Sequence, residues 1–112
     1  MSYYEPADLK KFPKIADLSP ELAKKFFSWY GDVTGTEGAL TVREKTLIAL
    51  AVSHALKCPY CIDAYTVTSL EKGLDPEQMM EAVHIAAAMS AGITLVHSVQ
   101  MQNHLRDKGV ID

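Results

Sequence analysis

The chain has 112 residues, a formal net charge of −3 and an apolar share of 48%. This length predicts a single domain, 1–112, and the apolar share favours a folded core over disorder. Lysines and arginines are scattered, which argues against a nucleic-acid or anionic-membrane surface. Met1 to Phe12 lacks the apolar core of a signal peptide, and the apolar stretch Ala82 to Val99 is too interrupted for a membrane span. We therefore expect a soluble, cytoplasmic protein.

The first third of the chain predicts an arm, a helix and a loop. Residues 1–17 contain two prolines and predict an N-terminal arm with one helical turn. Ser19-Pro20-Glu21 is a helix-start pattern, because serine caps, proline suits the first helical position and an acid favours the first turn. The apolar spacing predicts a helix over 21–30. Three glycines then predict a loop: Gly31, Gly35 and Gly38.

Two further helices flank the cysteines. Thr41, followed three residues later by Glu44, is a capping-box pattern, and the helix it opens is apolar on most sides. Pro59 ends this helix, because the residue before a proline disfavours helical geometry. Pro59 also fits the first turn of a new helix, 59–72, which stops at Gly73.

The C-terminal part predicts two more helices and no strands. Asp75-Pro76-Glu77 repeats the helix-start pattern and precedes a helix rich in alanine. Ser90 to Gly92 is a candidate for a bend or break, and a last helix is predicted from about Thr94 to Lys108. The fold class is therefore all-α, a helical bundle, and the apolar C-terminal half suggests that subunits share a core.

The chemistry is concentrated in the Cys-Pro-Tyr-Cys motif. Cys58 and Cys61 are the two cysteines of the chain, and residues three apart share a helix face, within reach of a disulfide. Cys58 falls at a helix start, where free N–H groups and the helix dipole favour a thiolate. A thiolate attacks peroxide to give a sulfenic acid, the second thiol condenses onto it, and an external thiol carrier reduces the disulfide.

Other interpretations of these residues stay open. The cysteine pair also fits half of a zinc site, although no second C-x-x-C exists, or two unreactive thiols. His54, four residues before Cys58, is a candidate to exchange protons with the thiols if the flanking helices are antiparallel. It fits equally a histidine that caps the C-terminus of its own helix.

The segment from Glu44 to Gly73 resembles the carboxymuconolactone decarboxylase and AhpD-like superfamily. The matching elements are the helix -LIALAVS-, the C-x-Y-C pair and the next helix ending in glycine, and the resemblance runs from Leu40 to the end. Within that superfamily, MSYYEPADLKKF and HALKCPYCIDAYT are most similar to the arsenosugar biosynthesis-associated peroxidase-like proteins.

This resemblance implies an AhpD-like helical fold that forms homo-oligomers, commonly trimers or hexamers. It implies an alkylhydroperoxidase of peroxiredoxin type, with antioxidant activity at Cys58 and Cys61 and without a cofactor or metal. The substrate would be a peroxide, and the electron donor a thioredoxin-like or lipoyl-type carrier. The decarboxylase branch lacks the cysteine pair, so decarboxylation is the less favoured activity.

Two positions depart from the peroxidase pattern. The family has a glutamate twelve residues before the first cysteine and a histidine four after the second, which act as a proton relay. Here these positions are Thr46 and Tyr65. Neither a hydroxyl nor a phenol, which titrates near ~10, is a good base near neutral pH. His54 is the candidate substitute. The alternative functions are a thiol module that binds a soft metal or arsenic(III) species, and a scaffold of the decarboxylase family without redox turnover.

Overall fold

The structure is a computed structural model that describes residues 3–112, and all regular secondary structure in that range is helical. The predicted all-α class is confirmed. The arm, residues 3–17, contains a 3₁₀ helix, Pro6–Asp17. Five α-helices follow: α1 Pro20–Gly35, α2 Val42–Ala55, α3 Pro59–Glu71, α4 Pro76–Val96 and α5 Ser98–Asp107.

The predicted helix boundaries around α2, α3 and α4 rest on side-chain capping. The Thr41 hydroxyl accepts from the Glu44 N–H at 3.1 Å, and the Glu44 carboxylate accepts from the Thr41 N–H at 2.8 Å, which is the predicted capping box. Asp75 and Gln78 form a second box at the start of α4. Gly73 ends the α3 region with φ +75°, a left-handed conformation that glycine adopts without strain.

Three predicted boundaries are wrong. The arm contains a 12-residue 3₁₀ helix where one helical turn was expected. Helix α1 continues through Gly31 to Gly35, because a glycine costs only about 1 kcal/mol inside a helix and does not end it. Helix α4 passes unbroken through Ser90 to Gly92 and continues to Val96, so the last helix begins at Ser98 and not at about Thr94.

The core of the single chain is small and lies where α2 packs against α3 and α4. Its most buried side chains are Leu50, Thr46 and Ser69. The radius of gyration is 19.4 Å, against about 13 Å for a compact domain of this length. Much of α4 and α5 therefore projects from the core. Large apolar side chains stay exposed along it, among them Ile85, Met89, Ile93, Val96 and Met101.

The helical stretch 76–107 is long and apolar enough to cross a membrane by length and composition alone. This is weak support for a span, because helices that pack against protein pass the same criterion. The predicted absence of membrane contact stays a prediction.

Candidate functional site

The turn between α2 and α3 places Cys58 at the start of a helix. Lys57 takes a left-handed conformation, φ 55°, and the Cys58 N–H donates back to the Ser53 carbonyl at 3.0 Å. The chain thereby reverses direction within three residues, and α2 and α3 pack against each other. Pro59 occupies the first turn of α3, where its missing N–H is no loss. The helix start that the sequence predicts at Cys58 is confirmed.

Cys58 is the N-cap residue of α3, and its sulfur accepts a hydrogen bond from the Cys61 N–H at 3.2 Å. The two cysteines form a disulfide, with their Cα atoms 5.2 Å apart. When the pair is reduced, the same N–H and the positive end of the helix dipole favour a thiolate on Cys58. The site therefore combines a sulfur at a helix start with a partner sulfur in bonding distance.

Both cysteines are half-buried and line one cavity of about 950 Å³. The arm, α1, the first turn of α2 and α3 form its walls. The apolar part of the lining consists of Leu9, Phe12, Ile15, Phe27, Val42 and Ala64. A carbon chain or an aromatic group can therefore lie beside the sulfurs in an apolar environment.

The arm closes the cavity over the cysteine motif. The Tyr4 hydroxyl donates to the Asp63 carboxylate, and the rings of Tyr4 and Tyr60 meet edge to face with centroids 4.9 Å apart. Farther along the arm, the rings of Phe12 and Phe27 have centroids 5.0 Å apart. Sequence reasoning missed this role of the arm, although apolar residues recur every third position there, which is the period of a 3₁₀ helix.

The two departures from the family relay have different surroundings. Thr46 is buried, and its hydroxyl donates to the Val42 carbonyl of the same helix at 2.8 Å. That hydroxyl proton is held inside α2. Tyr65 instead directs its hydroxyl to the hydroxyl of Tyr30 from α1, and both tyrosines line the cavity. No local pattern in the sequence marks Tyr30 as a partner for Tyr65, because it comes from another helix.

His54 makes a hydrogen bond within its own helix, from Nδ1 to the Leu50 carbonyl at 2.8 Å. A carbonyl only accepts, so Nδ1 carries the proton and Nε2 is left as the acceptor nitrogen of the neutral ring. The half-buried His54 is not among the residues that line the cavity. Its predicted exchange of protons with the thiols therefore stays a prediction, and its bond to Leu50 is a sufficient structural role.

Glu44 has the capping role that its sequence position predicts. The hydrogen bonds from the Thr41 backbone and side chain lower the pKa of the Glu44 carboxyl below its ordinary value. Among residues 3–112, no group of three or more histidine, cysteine, aspartate or glutamate side chains is arranged to hold a metal ion.

The model of the carboxymuconolactone decarboxylase family matches residues 20–102, which include α1 to α4 and both cysteines. The chain belongs to the carboxymuconolactone decarboxylase family. The match also agrees with the AhpD-like resemblance of the cysteine-containing segment. The closer resemblance to the arsenosugar-associated branch stays a prediction.

One curated relative matches part of the chain. An uncharacterized protein of the cox locus of Paracoccus denitrificans is 42% identical over 66 residues, which are 59% of this chain and 60% of that protein. This alignment spans less than two thirds of that relative.

Two crystal structures share the fold. A protein from Methanobacterium thermoautotrophicum is 32% identical with a TM-score of 0.73, covering 78% of this chain and 97% of that one. A carboxymuconolactone decarboxylase family protein from Legionella pneumophila is 28% identical with a TM-score of 0.66, and the match covers 88% of this chain and 87% of that one.

Proposed function

We propose that this member of the family is a cofactor-free dithiol oxidoreductase of the AhpD-like kind, which reduces peroxides with Cys58 and Cys61. One observation carries the proposal: the two sulfurs are bonded at the start of α3, on the wall of a cavity of about 950 Å³. A purely structural disulfide would need neither a helix start that favours a thiolate nor a ligand-sized cavity beside it.

The reaction follows from the different positions of the two sulfurs. The Cys58 thiolate attacks the terminal oxygen of a hydroperoxide, so that an S–O bond forms, the O–O bond breaks and an alkoxide leaves. The Cys61 thiol then attacks the sulfenic sulfur, which forms the disulfide and releases the oxygen as water. Two electrons pass from the thiols to the peroxide. An external dithiol returns them by thiol–disulfide exchange.

The electron donor of this cycle would be a thioredoxin-like or lipoyl-type carrier, and the compartment the reducing cytoplasm. Both dithiol classes deliver two electrons through a mixed disulfide, which the half-buried Cys58 sulfur can form. His54 would accept a thiol proton through Nε2, because its Nδ1 is already bonded to the Leu50 carbonyl.

The active form would be a homo-oligomer, a trimer or a hexamer. The chain exposes 8748 Å², whereas a compact monomer of this mass exposes about 6,100 Å². The excess of about 2,600 Å² is of the size that obligate assemblies bury. It includes the apolar groove between α2 and α4, of about 470 Å³ and lined by Ile48, Val52 and Ile85. Copies of the chain would cover this surface.

The proposal is tested with reduced protein, a hydroperoxide, and a coupled assay with either thioredoxin and its reductase or dihydrolipoamide and its dehydrogenase. Peroxide-dependent turnover is expected for the wild type and is lost in Cys58→Ser and Cys61→Ser. Serine is a favourable N-cap, so Cys58→Ser keeps the start of α3 and removes only the sulfur chemistry. Because these are the only two cysteines, thiol labelling reports on this pair alone.

A second function keeps the same pair but no turnover: a module that binds a soft metal or arsenic(III) species through two thiolates. The observation that favours it is the loss of the family relay at Thr46 and Tyr65. Stoichiometric uptake of arsenite by the reduced protein, without peroxide consumption, would support this module and contradict the oxidoreductase. If the wild type and the double serine variant behave identically in both assays, the remaining alternative is a scaffold of the family without redox turnover.

A further inference from the structure

A pair of phenols shares the cavity with the cysteines. The hydroxyls of Tyr30 from α1 and Tyr65 from α3 are hydrogen-bonded to each other. Both side chains are half-buried, and both line the same cavity as Cys58 and Cys61. The pair thus places two bonded hydroxyl groups in the cavity that holds the sulfurs.

Helical geometry brings Tyr65 next to Cys61. The two residues are four apart in α3 and therefore lie on one face, one turn from each other. Aromatic side chains in a helix lean toward its N-terminus, so the ring of Tyr65 lies over the turn that carries Cys61. Tyr65 and Cys61 therefore lie on the same part of the cavity wall, which a peroxide bound in the cavity also meets.

The proton count of the pair leaves one donor for a ligand. Two phenols have two O–H protons, and only one of these lies between the two oxygens. Among residues 3–112, neither hydroxyl has another hydrogen-bond partner, so the second proton is available to the cavity. Burial, and then the bond to Tyr65, raises the pKa of Tyr30 above its ordinary value. Tyr30 therefore keeps its proton at neutral pH and serves as a hydrogen-bond donor rather than a base.

The other ionisable side chains of the lining are poorly placed for this task. Lys11 is 3.0 Å from Asp8, in an exposed ion pair on the arm. Glu71 and Lys72 are exposed at the far end of α3, about 15 Å from Cys61 along the helix axis. Tyr60 also lines the cavity, but its hydroxyl donates to the backbone carbonyl of Tyr3 at 3.3 Å. Tyr30 and Tyr65 are the two lining phenols whose hydroxyls are bonded to each other.

We infer that the Tyr30–Tyr65 pair is the general acid of peroxide cleavage in this protein, with Tyr65 as the catalytic donor and Tyr30 as the residue that positions it. This inference rests on the proposed function and names the group that replaces the missing family relay. When the O–O bond breaks, the leaving alkoxide takes the phenolic proton and becomes an alcohol. The proton of the Cys61 thiol leaves with the sulfenic oxygen of Cys58 as water, and the phenolate, held by the second hydroxyl, recovers its proton from solvent.

The test uses the dependence on the leaving group in single turnovers of the reduced full-length protein. Cumene hydroperoxide releases an alkoxide that needs a proton, whereas peracetic acid releases a carboxylate that needs none. Tyr65→Phe is expected to slow disulfide formation with cumene hydroperoxide by roughly 10²- to 10⁴-fold, the usual contribution of a general acid. The same variant should keep a rate near wild type with peracetic acid. Tyr30→Phe should also slow the reaction with cumene hydroperoxide and not with peracetic acid, but by a smaller factor than Tyr65→Phe.

Two variants separate chemistry from folding. Tyr3→Phe is the matched control, since the side chain of Tyr3 is fully exposed and loses the same hydroxyl. Tyr65→His restores a proton-carrying group and should recover most of the cumene hydroperoxide rate relative to Tyr65→Phe.

The outcomes distinguish the inference from the proposed function. If Tyr65→Phe lowers the rate equally with both oxidants, or with neither, the assignment of the general acid is overturned. The proposed dithiol peroxidase is then unaffected. A wild-type protein that reacts with neither oxidant overturns both. If Tyr65→Phe fails to fold, the same comparison with Tyr30→Phe decides, because selective loss with cumene hydroperoxide supports the pair and uniform loss refutes it.

Discussion

The exposed apolar surface of α4 leads to the most quantitative prediction. Ile85 lines the groove between α2 and α4 and has 61% of its surface exposed in the single chain. If copies of the chain cover this groove, Ile85→Glu places an unpaired charge in an apolar contact. Such a charge costs about 3–5 kcal/mol when it has no partner. Since 1.4 kcal/mol is a factor of ten, each subunit contact should weaken by about 100-fold or more.

Sedimentation velocity and light scattering at micromolar concentration measure this effect. The wild type should sediment as a trimer or hexamer, and Ile85→Glu should shift toward monomer while keeping its helical circular dichroism. Ser28→Glu is the matched control, because it adds the same charge at an exposed position of α1 and should leave the assembly unchanged. A wild type that is monomeric in buffer would refute the reasoning. A wild type that is soluble only in detergent or on vesicles would support the membrane interpretation of 76–107 instead.

Three further predictions concern stability and are checked by thermal or denaturant unfolding. Lys57→Gly should stabilise by about 1 kcal/mol and Gly73→Ala should destabilise by about as much, because both positions have positive φ. Leu50→Ala should lower the free energy of unfolding by about 3 kcal/mol, since Leu50 is fully buried between the central helices. The pKa of Glu44 is lower in the folded protein than in the unfolded chain. The ionised carboxylate therefore stabilises the fold fully above the unfolded-state pKa of about 4.3. This stabilisation is lost as the pH falls through the folded-state pKa. Glu44→Gln keeps the capping box with Thr41 and should flatten this acid-side loss.

For Lys57→Gly, Leu50→Ala and Glu44→Gln, one result each would contradict the prediction. Destabilisation by Lys57→Gly would mean that the lysine side chain contributes more than the backbone strain costs. A change below about 1 kcal/mol for Leu50→Ala would place the core elsewhere or show that the cavity collapses. An unchanged acid-side slope in Glu44→Gln would mean that other carboxylates control the pH dependence.

The sequence was most informative where a local signal decides the structure. Thr41 with Glu44, and Asp75 before Pro76, predict helix starts because capping needs only neighbours in the chain. The position of Cys58 at a helix start follows in the same way from Pro59. These local signals, with the resemblance around the cysteines, sufficed for the fold class and for the position of the cysteine pair at a helix start.

What the sequence did not predict depends on contacts between distant segments. The partner of Tyr65 comes from α1, 35 positions away in the chain, and no spacing rule marks Tyr30 as that partner. The arm forms a wall of the cavity because Phe12 packs on Phe27, a contact that the prolines of the arm gave no reason to expect. Gly31 was expected to end α1, but the packing of the helix outweighs its small propensity cost.

The central claim is that Cys58 and Cys61 form a working redox pair, and its most direct test is a redox titration. Alkylation of the two thiols in glutathione and dithiothreitol buffers gives the reduction potential, and its pH dependence shows which thiol ionises. We expect a reversible intramolecular disulfide between about −270 and −180 mV, the range of thiol carriers, with Cys58 reacting as a thiolate at neutral pH. A potential below about −300 mV would indicate a structural disulfide, and two thiols that never pair would leave the protein without redox function.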